Sequence, residues 1–104
     1  MTVKRKPHHD LGAVKVKFAS VETLEMTRAA LRSAQAIGFV LEEVVGVVQA
    51  LEREDFVKSE TAHSPRNPRC WHDTYVTPFD GRDLYLKFAG ETLVDVVLAS
   101  FKEA

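Results

Sequence analysis

The sequence lacks most of the features that mark the specialised classes of protein. Its single cysteine, Cys70, excludes an internal disulfide and a multi-cysteine zinc site, a pattern that fits a reducing cytoplasm. No apolar run approaches the ~20 residues that a membrane span needs. The basic start, residues 1–7, has no apolar stretch behind it and is not expected to be a secretory signal. These absences predict a cytoplasmic protein without a membrane partner.

An excess of charge of one sign is also lacking, because the net charge is −1. That value argues against a dedicated nucleic-acid-binding protein. The charges are nevertheless separated along the chain: residues 1–17 carry five basic side chains and one acidic one, whereas residues 39–60 carry six acidic and two basic ones. The pattern predicts one side that meets phosphates and another that meets water or a basic protein. The alternative is scattered, solvated surface charge.

The first half of the chain has the period of helices. Asp10 is predicted to cap a first helix, and Thr27 to cap a second that ends at Gly38, where a left-handed C-cap is needed. A third helix has the clearest apolar stripe, although Gly46 weakens it and suggests close packing there. The apolar positions of the three helices are Leu11, Val14, Phe18, then Ala30, Leu31, Ala34, Ile37, then Leu41, Val44, Val45, Val48 and Leu51.

The second half changes to the period of strands. β-branched and aromatic residues dominate from Phe56 onward, and Asp80-Gly81 has the composition of a two-residue hairpin turn. The prolines of residues 63–68 predict a loop. Strands are expected at about 56–61, 70–77, 83–89 and 92–101, the last of them central because it is apolar on both faces. At 104 residues the chain is predicted to be a single domain, 1–104, of the α+β class: three N-terminal helices packed on an antiparallel β-sheet.

Strand alternation predicts one sheet face that carries polar chemistry. Tyr85 and Lys87 alternate with apolar neighbours, and His72, Lys58 and Lys102 lie on the other predicted strands. Lysines, a histidine and a tyrosine on one open face suit a polyanion whose phosphate is attacked without a metal ion. RNA is the obvious ligand of this kind.

Metal-free RNA cleavage needs only groups of this type. The 2′-hydroxyl of the substrate is the nucleophile, so the protein must move two protons and stabilise charge on the phosphate. His72 can act as acid or base at neutral pH. Lys58 and Lys102 can neutralise the phosphate charge, and Lys58 can act as a general base only if its pKa is lowered. Tyr85 can donate a hydrogen bond to the phosphate or stack on a nucleobase. No metal or organic cofactor is implied.

Each of these residues also has an ordinary structural role. His72 beside Trp71 suits a partly buried sheet histidine, Tyr85 suits a packing residue, and Lys58 and Lys102 suit surface lysines. Composition and spacing alone therefore predict a small α+β domain and leave RNA binding as one of its open roles. Two alternatives to an enzyme stay open: a non-catalytic RNA- or protein-binding module of the same fold, and an interaction protein that docks a basic partner through the acidic stretch 39–60.

Six segments in order resemble the MqsR family of bacterial toxins, which belong structurally to the RelE-like ribonucleases. The resemblance spans nearly the whole chain, from Lys4 to Glu103. Its segments are Lys4-Arg5-Lys6-Pro7-His8, Thr27-Arg28-x-Ala30-Leu31, Asp55-Phe56-x-Lys58-Ser59-x-Thr61, Trp71-x-Asp73-x-Tyr75, Tyr85-Leu86-Lys87 and Ser100-Phe101-Lys102-Glu103. The resemblance implies a ribosome-independent mRNA endoribonuclease of a type II toxin–antitoxin system, encoded beside an antitoxin protein that silences it.

The resemblance also implies a set of site residues. The family's catalytic lysine falls on Lys58, its tyrosine on Tyr85 and a C-terminal lysine on Lys102, whereas His72 stands where the family has a glutamine. Histidine can shuttle a proton and glutamine cannot, so His72 is expected to make the rate depend on pH. Beyond this set, the basic residues expected to hold RNA phosphates are Lys4, Arg5, Lys6, Lys15, Lys17 and Lys87. Arg66 and Arg69 are expected to bind RNA as well and to alter the RNA contacts or the antitoxin interface.

Overall fold

The change of period near residue 56 separates the helices from most of the sheet. A computed structural model describes residues 3–63 and 66–104, which form an α+β structure with three α-helices and a five-stranded antiparallel sheet. The elements are β1 (Val3–Lys4), α1 (Leu11–Lys17), α2 (Arg28–Ala36), α3 (Leu41–Ala50), a 3₁₀ turn (Arg53–Asp55), β2 (Phe56–His63), β3 (Arg66–Phe79), β4 (Arg82–Gly90) and β5 (Val97–Glu103). None of the helices in the described ranges is long and apolar enough to cross a membrane.

The predicted helix ends are confirmed. The Asp10 carboxylate accepts a hydrogen bond from the Ala13 N–H at 2.9 Å, and the Thr27 hydroxyl accepts one from the Ala30 N–H at 3.1 Å. Each bond satisfies a backbone donor that the first turn leaves unpaired. Gly38 has a φ of 87°, the left-handed conformation predicted for a C-cap.

The strands pair in the order β1-β2-β3-β4-β5, each antiparallel to the next. The predicted hairpin turn is confirmed, since Asp80 and Gly81 join β3 to β4 with φ values of 52° and 82°. This pair of positive angles is that of the turn that suits a twisted two-residue hairpin. The short strand β1 was not predicted; it pairs Val3 with Glu60 and Lys4 with Ser59.

The predicted central position of the last strand is wrong. β5 begins at Val97 and lies at the end of the strand order. Its outer edge is covered by the chain before α2, because the Thr27 N–H donates to the Leu98 carbonyl at 3.0 Å and the Leu98 N–H donates to the Glu25 carbonyl at 2.8 Å. The apolar residues of the predicted segment have different environments: Val96, Leu98 and Phe101 are buried in the core, whereas Leu93 and Val94 precede the strand and are exposed.

The predicted loop at 63–68 is mostly strand. Ser64 and Pro65 lie outside the described residues, but β3 already begins at Arg66, and Asn67 pairs with Ala62. The register then shifts, since the next pair is Thr61 with Trp71. Pro68 therefore lies in a bulge, where a missing N–H costs no ladder hydrogen bond.

The helices cover one face of the sheet and form the core with it. Phe18 of the first helical segment stacks on Phe88 at 6.1 Å between ring centroids, and Phe39 meets Phe101 edge-on at 5.1 Å. Gly46 does not contribute the close packing that was predicted, since a Cβ built there meets no atom within 4 Å. The other large side chains of the core are Val14, Val44, Val47, Val48, Leu51, Tyr75, Leu84, Leu86 and Leu98.

Candidate active site

The four predicted catalytic residues lie on the sheet face that is turned away from the core. Lys58 pairs with Thr74, two residues from His72, and Tyr85 pairs with Lys102. Side chains alternate along a strand, and paired positions of an antiparallel sheet share a face. We call this surface the open face; its residues are Lys58, Glu60, His72, Thr74, Val76, Tyr85, Lys87, Ser100 and Lys102.

A β-bulge brings Lys58 onto the open face. Phe56 pairs with Tyr75, but Lys58 pairs with Thr74, so Val57 is an extra residue in β2. Phe56 consequently packs toward the core, edge-on to Tyr75 at 5.6 Å between ring centroids, while Lys58 faces the other way. Simple alternation would have put Phe56 and Lys58 on the same side.

A second bulge orients the C-terminal residues. Lys87 pairs with Ser100 and the next residue, Phe88, pairs with Leu98, so Ala99 is the extra residue in β5. Leu98 and Phe101 can therefore both be fully buried in the core while Ser100 and Lys102 lie on the open face.

The side chains of the open face form two groups. In the first, the Lys58 ammonium lies 3.4 Å from the Glu60 carboxylate, and Glu60 pairs across the strands with His72. In the second, the ammonium groups of Lys102 and Lys87 lie 5.0 and 5.8 Å from the centroid of the Tyr85 ring. His72 pairs with Ala89, four residues from Tyr85, so these two side chains are offset by about 13 Å along the strands, whereas Lys58 and Lys87 stand in one row across the sheet on either side of Thr74.

Glu60 lies in the candidate site, although no sequence pattern predicted a role for it. It is 8% exposed, and its carboxylate is the partner of the half-buried Lys58. A carboxylate neighbour favours an electrostatic role for the ammonium over that of a general base. The sequence feature that predicts this contact is the i, i+2 spacing of Lys58 and Glu60, which places both side chains on one face of a strand.

The predicted phosphate-binding residues are spread over several surfaces. Lys87 lies on the open face, and Lys15 is half-buried near the end of α1. Arg5 and Lys6 are exposed near the N-terminus, and Arg66 and Arg69 are exposed on the first residues of β3.

Lys17 is a correction to the predicted set. Its ammonium donates hydrogen bonds to the carbonyls of Leu93, Val94 and Val96 at 2.8 to 2.9 Å, and it lies 3.5 Å from the Glu25 carboxylate. An ammonium has three N–H donors, so none is left for a phosphate. Helical spacing could not reveal this role, because the carbonyls come from a loop about eighty residues further along the chain.

The N-terminal segment is bound to the sheet. The Lys4 ammonium lies 3.9 Å from the centroid of the Trp71 ring and 3.0 Å from Nδ1 of His8. The backbone N–H groups of His8 and His9 donate to the Asp73 carboxylate at 3.1 and 2.8 Å. The two adjacent histidines are therefore held against the sheet rather than in a free tail, and Lys4 is partly occupied by these contacts.

The fold and the site together define an α+β protein with a cationic open face that carries a histidine and a tyrosine. No group of three or more His, Cys, Asp or Glu side chains that could hold a metal ion is present within residues 3–63 and 66–104.

Residues 6–103 match the family model described as motility quorum-sensing regulator, toxin of MqsA, and the chain belongs to this MqsR toxin family. It is 34% identical over 100 residues to the mRNA interferase toxin MqsR of Escherichia coli strain K12, which covers 96% of this chain and 97% of the relative. The resemblance seen in the sequence is thus confirmed.

Proposed function

We propose that this chain is the toxin of a type II toxin–antitoxin system and an mRNA endoribonuclease that inhibits translation and growth. The observation that carries the proposal is the placement of Lys58, His72, Tyr85 and Lys102 on one face of four consecutive strands. Membership of the toxin family and likeness to an mRNA interferase support it.

The reaction uses a nucleophile that the substrate supplies. A general base removes the proton of the 2′-hydroxyl, the 2′-oxygen bonds to phosphorus, and the bond from phosphorus to the 5′-oxygen breaks. A general acid protonates the leaving 5′-oxygen, so the products are a cyclic phosphate and a 5′-hydroxyl. His72 supplies one of these proton transfers, because imidazole exchanges protons near neutral pH.

The other three side chains stabilise the transition state and the bound RNA. Lys58 and Lys102 neutralise charge that develops on the phosphate oxygens. Tyr85 donates a hydrogen bond to the phosphate or stacks on a base next to it. The remaining phosphate contacts come from Lys87, from the half-buried Lys15 and from the exposed basic residues, which are Arg5, Lys6, Arg66 and Arg69, with Lys4 partly engaged elsewhere.

The partners follow from the same proposal. Residues 1–104 act as one domain of the RelE-like type in the cytoplasm, with mRNA as substrate. A cognate antitoxin protein binds and silences the toxin, as the family description, toxin of MqsA, suggests.

The test is cleavage of a defined transcript by the purified protein in EDTA, followed by mapping of the cut ends. We expect cleavage to persist in the chelator and to leave 5′-hydroxyl ends, because the reaction needs only side chains and the 2′-hydroxyl. Loss of cleavage in EDTA, or 5′-phosphate ends, would contradict the scheme.

Substitution separates the enzyme from a binding module of the same fold. Lys58→Ala and Tyr85→Phe should lower the cleavage rate while the circular dichroism spectrum stays that of the wild type. A wild-type protein that binds the transcript and never cuts it would favour the non-catalytic module.

A further inference from the structure

Thr74 has an unusual environment at the centre of the open face. The residue is 1% exposed, and its Oγ1 finds no hydrogen-bond partner among the described residues. A buried hydroxyl without a partner lowers the stability of the folded state, and folded proteins keep few of them. An unpaired hydroxyl on a face that also carries lysines, a histidine and a tyrosine points to a ligand that supplies the missing hydrogen-bond partner.

Two lysines flank this threonine in a straight row across the sheet. Lys58, Thr74, Lys87 and Ser100 are consecutive cross-strand partners on four strands. Neighbouring paired Cα atoms lie about 5 Å apart, so the Cα atoms of the two lysines are about 10 Å apart with Thr74 midway. A lysine side chain is long enough for both ammonium groups to reach a group held above the threonine.

Each of the two lysines contacts a neighbour on the open face. The Lys58 ammonium contacts Glu60, and the Lys87 ammonium lies 5.8 Å from the centroid of the Tyr85 ring. Neither contact is strong, because Lys58 is about half exposed and the aromatic contact is a partly solvated one. An anion above Thr74 can therefore attract both ammonium groups.

We propose that Thr74, Lys58 and Lys87 form a subsite for the RNA phosphate that is cleaved. The Thr74 hydroxyl donates a hydrogen bond to a phosphate oxygen, and the two ammonium groups neutralise the phosphate charge from either side. The inference rests on the proposed function, since the ligand is the RNA backbone. It adds Thr74 as a binding residue and assigns Lys87 to the reacting phosphate rather than to a distant one.

The position of the subsite agrees with the two groups of the open face. Thr74 is two residues from His72 on the same strand, and Lys87 is two residues from Tyr85 on the next. A phosphate above Thr74 lies between the histidine group and the tyrosine group, so each can act on it from one side. The 2′-oxygen and the 5′-oxygen occupy opposite ends of such a phosphodiester during displacement.

The test compares Thr74→Val, which removes the hydroxyl and keeps the shape, with Thr74→Ser, which keeps the hydroxyl. The matched control is Thr77→Val, because Thr77 is also buried, at 5% exposure, and lies on the same strand but on the core face. Affinity is measured for an oligonucleotide with 2′-O-methyl groups in EDTA, which keeps its phosphates and cannot be cleaved by 2′-hydroxyl attack. Thermal unfolding is measured for every variant.

We expect Thr74→Val to bind the oligonucleotide about tenfold more weakly, as for loss of a hydrogen bond to a charged group. Its unfolding temperature should not fall, because the change removes an unpaired buried hydroxyl. Thr74→Ser and Thr77→Val should bind as the wild type does. Equal affinity of Thr74→Val and wild type would overturn the subsite, whether or not the protein cleaves RNA.

A second measurement covers the case in which Thr74→Val does not fold. Inorganic phosphate titrated into the wild-type protein should shift the amide resonances of Thr74, Lys58 and Lys87 more than those of α3, and Lys87→Gln should weaken this response. Shifts confined to other residues would overturn the subsite alone. A wild-type protein that binds neither phosphate nor the oligonucleotide would overturn both the subsite and the proposed nuclease.

Discussion

Glu60 shows how a single side chain changes the role of its neighbour. Its carboxylate holds the Lys58 ammonium at 3.4 Å and lies opposite His72. In the proposed complex with RNA, the phosphate competes with this carboxylate for Lys58. The ion pair therefore keeps the ammonium on the open face without fixing it in place, and Lys58 can move to the phosphate at small cost.

His72 gives the proposed reaction its dependence on pH. We expect the cleavage rate to change between about pH 5 and 8, the range in which imidazole titrates. The His72→Ala variant should lose most of the rate and the pH dependence, whereas His72→Gln should keep more of the rate but not the dependence. Rates are measured on a defined transcript in EDTA at several pH values. A flat wild-type profile, together with an active His72→Ala variant, would rule out proton transfer by this residue.

His9 should make the fold sensitive to acid. Burial lowers the pKa of its imidazole below 6.5 and the charge of His8 acts in the same direction, although the Asp73 carboxylate opposes them. The folded state then binds the proton more weakly than the unfolded state. The free energy of unfolding therefore falls as the pH drops through 6.5 toward the lower folded pKa, by up to about 1.4 kcal/mol per pH unit.

The His9→Gln variant tests this prediction, because its amide can still donate to the Gly90 carbonyl that lies 3.1 Å from Nε2 of His9. Denaturant unfolding at pH 7 and pH 5 should show a smaller loss of stability in the variant than in the wild type. Asp95 does not interfere, since hydrogen bonds from Thr92 and Glu91 lower its pKa to about 2, below this window. Equal losses in the two proteins would contradict the prediction.

Among the secondary-structure elements, α3 contains a glycine that lowers its stability. Gly46 is an exposed helix-interior glycine with free space around a built Cβ. We expect Gly46→Ala to raise the free energy of unfolding by about 0.5–1 kcal/mol, because alanine loses less backbone entropy on folding. The measurement is denaturant unfolding.

Gly38→Ala is the matched control for this substitution. Its site is equally open, but its φ of 87° is unfavourable for a residue with a Cβ. The control should lower the free energy of unfolding by about 1–2 kcal/mol. If Gly46→Ala is the less stable protein of the pair, the account of both helix positions is wrong.

The two bulges are the elements that build the site. Each adds one residue to a strand, and each lets an apolar residue stay in the core while a nearby lysine faces the other way. Val57 and Ala99 are the extra residues, and neither has a sequence feature that marks a bulge. The pairing of the strands decides such features, because alternation along one strand contains no information about its partner.

At the scale of the whole molecule, the basic N-terminal region divides into two functions. Arg5 and Lys6 are exposed, whereas Lys17 binds three carbonyls of the segment before β5. The double variant Arg5→Ala with Lys6→Ala should bind single-stranded RNA with a smaller salt dependence. The slope of log affinity against log salt should decrease by about 0.7 for each lost phosphate contact.

Lys17→Ala should change the stability of the fold and leave the salt dependence of RNA binding unchanged. We expect it to lower the free energy of unfolding by about 1–3 kcal/mol, since it removes the charged donor of three carbonyls, of which that of Val96 is partly buried. The salt slope should stay that of the wild type. A reduced slope with unchanged stability would return Lys17 to the set of RNA-binding residues.

The sequence by itself determined the local structure. Asp10, Thr27 and Gly38 specify helix ends through bonds to residues three or four positions away, and Asp80-Gly81 specifies a turn through its own backbone angles. The apolar stripes indicate the buried side of the helices less completely: in α3 the predicted Leu41 is exposed, whereas Val47, outside the predicted stripe, is fully buried. The order of the family segments along the chain likewise identified the family, which needs no tertiary information.

Only the tertiary structure decided which distant groups meet. The contacts of Lys17 with the carbonyls near Val96, and the position of Thr74 between two lysines, depend on strand register, on the bulges and on the course of the loop before β5. These features join residues that are far apart in the sequence and meet only when the whole chain folds. Local patterns cannot fix them, because the same alternation is compatible with several registers, and burial of one complete core selects among them.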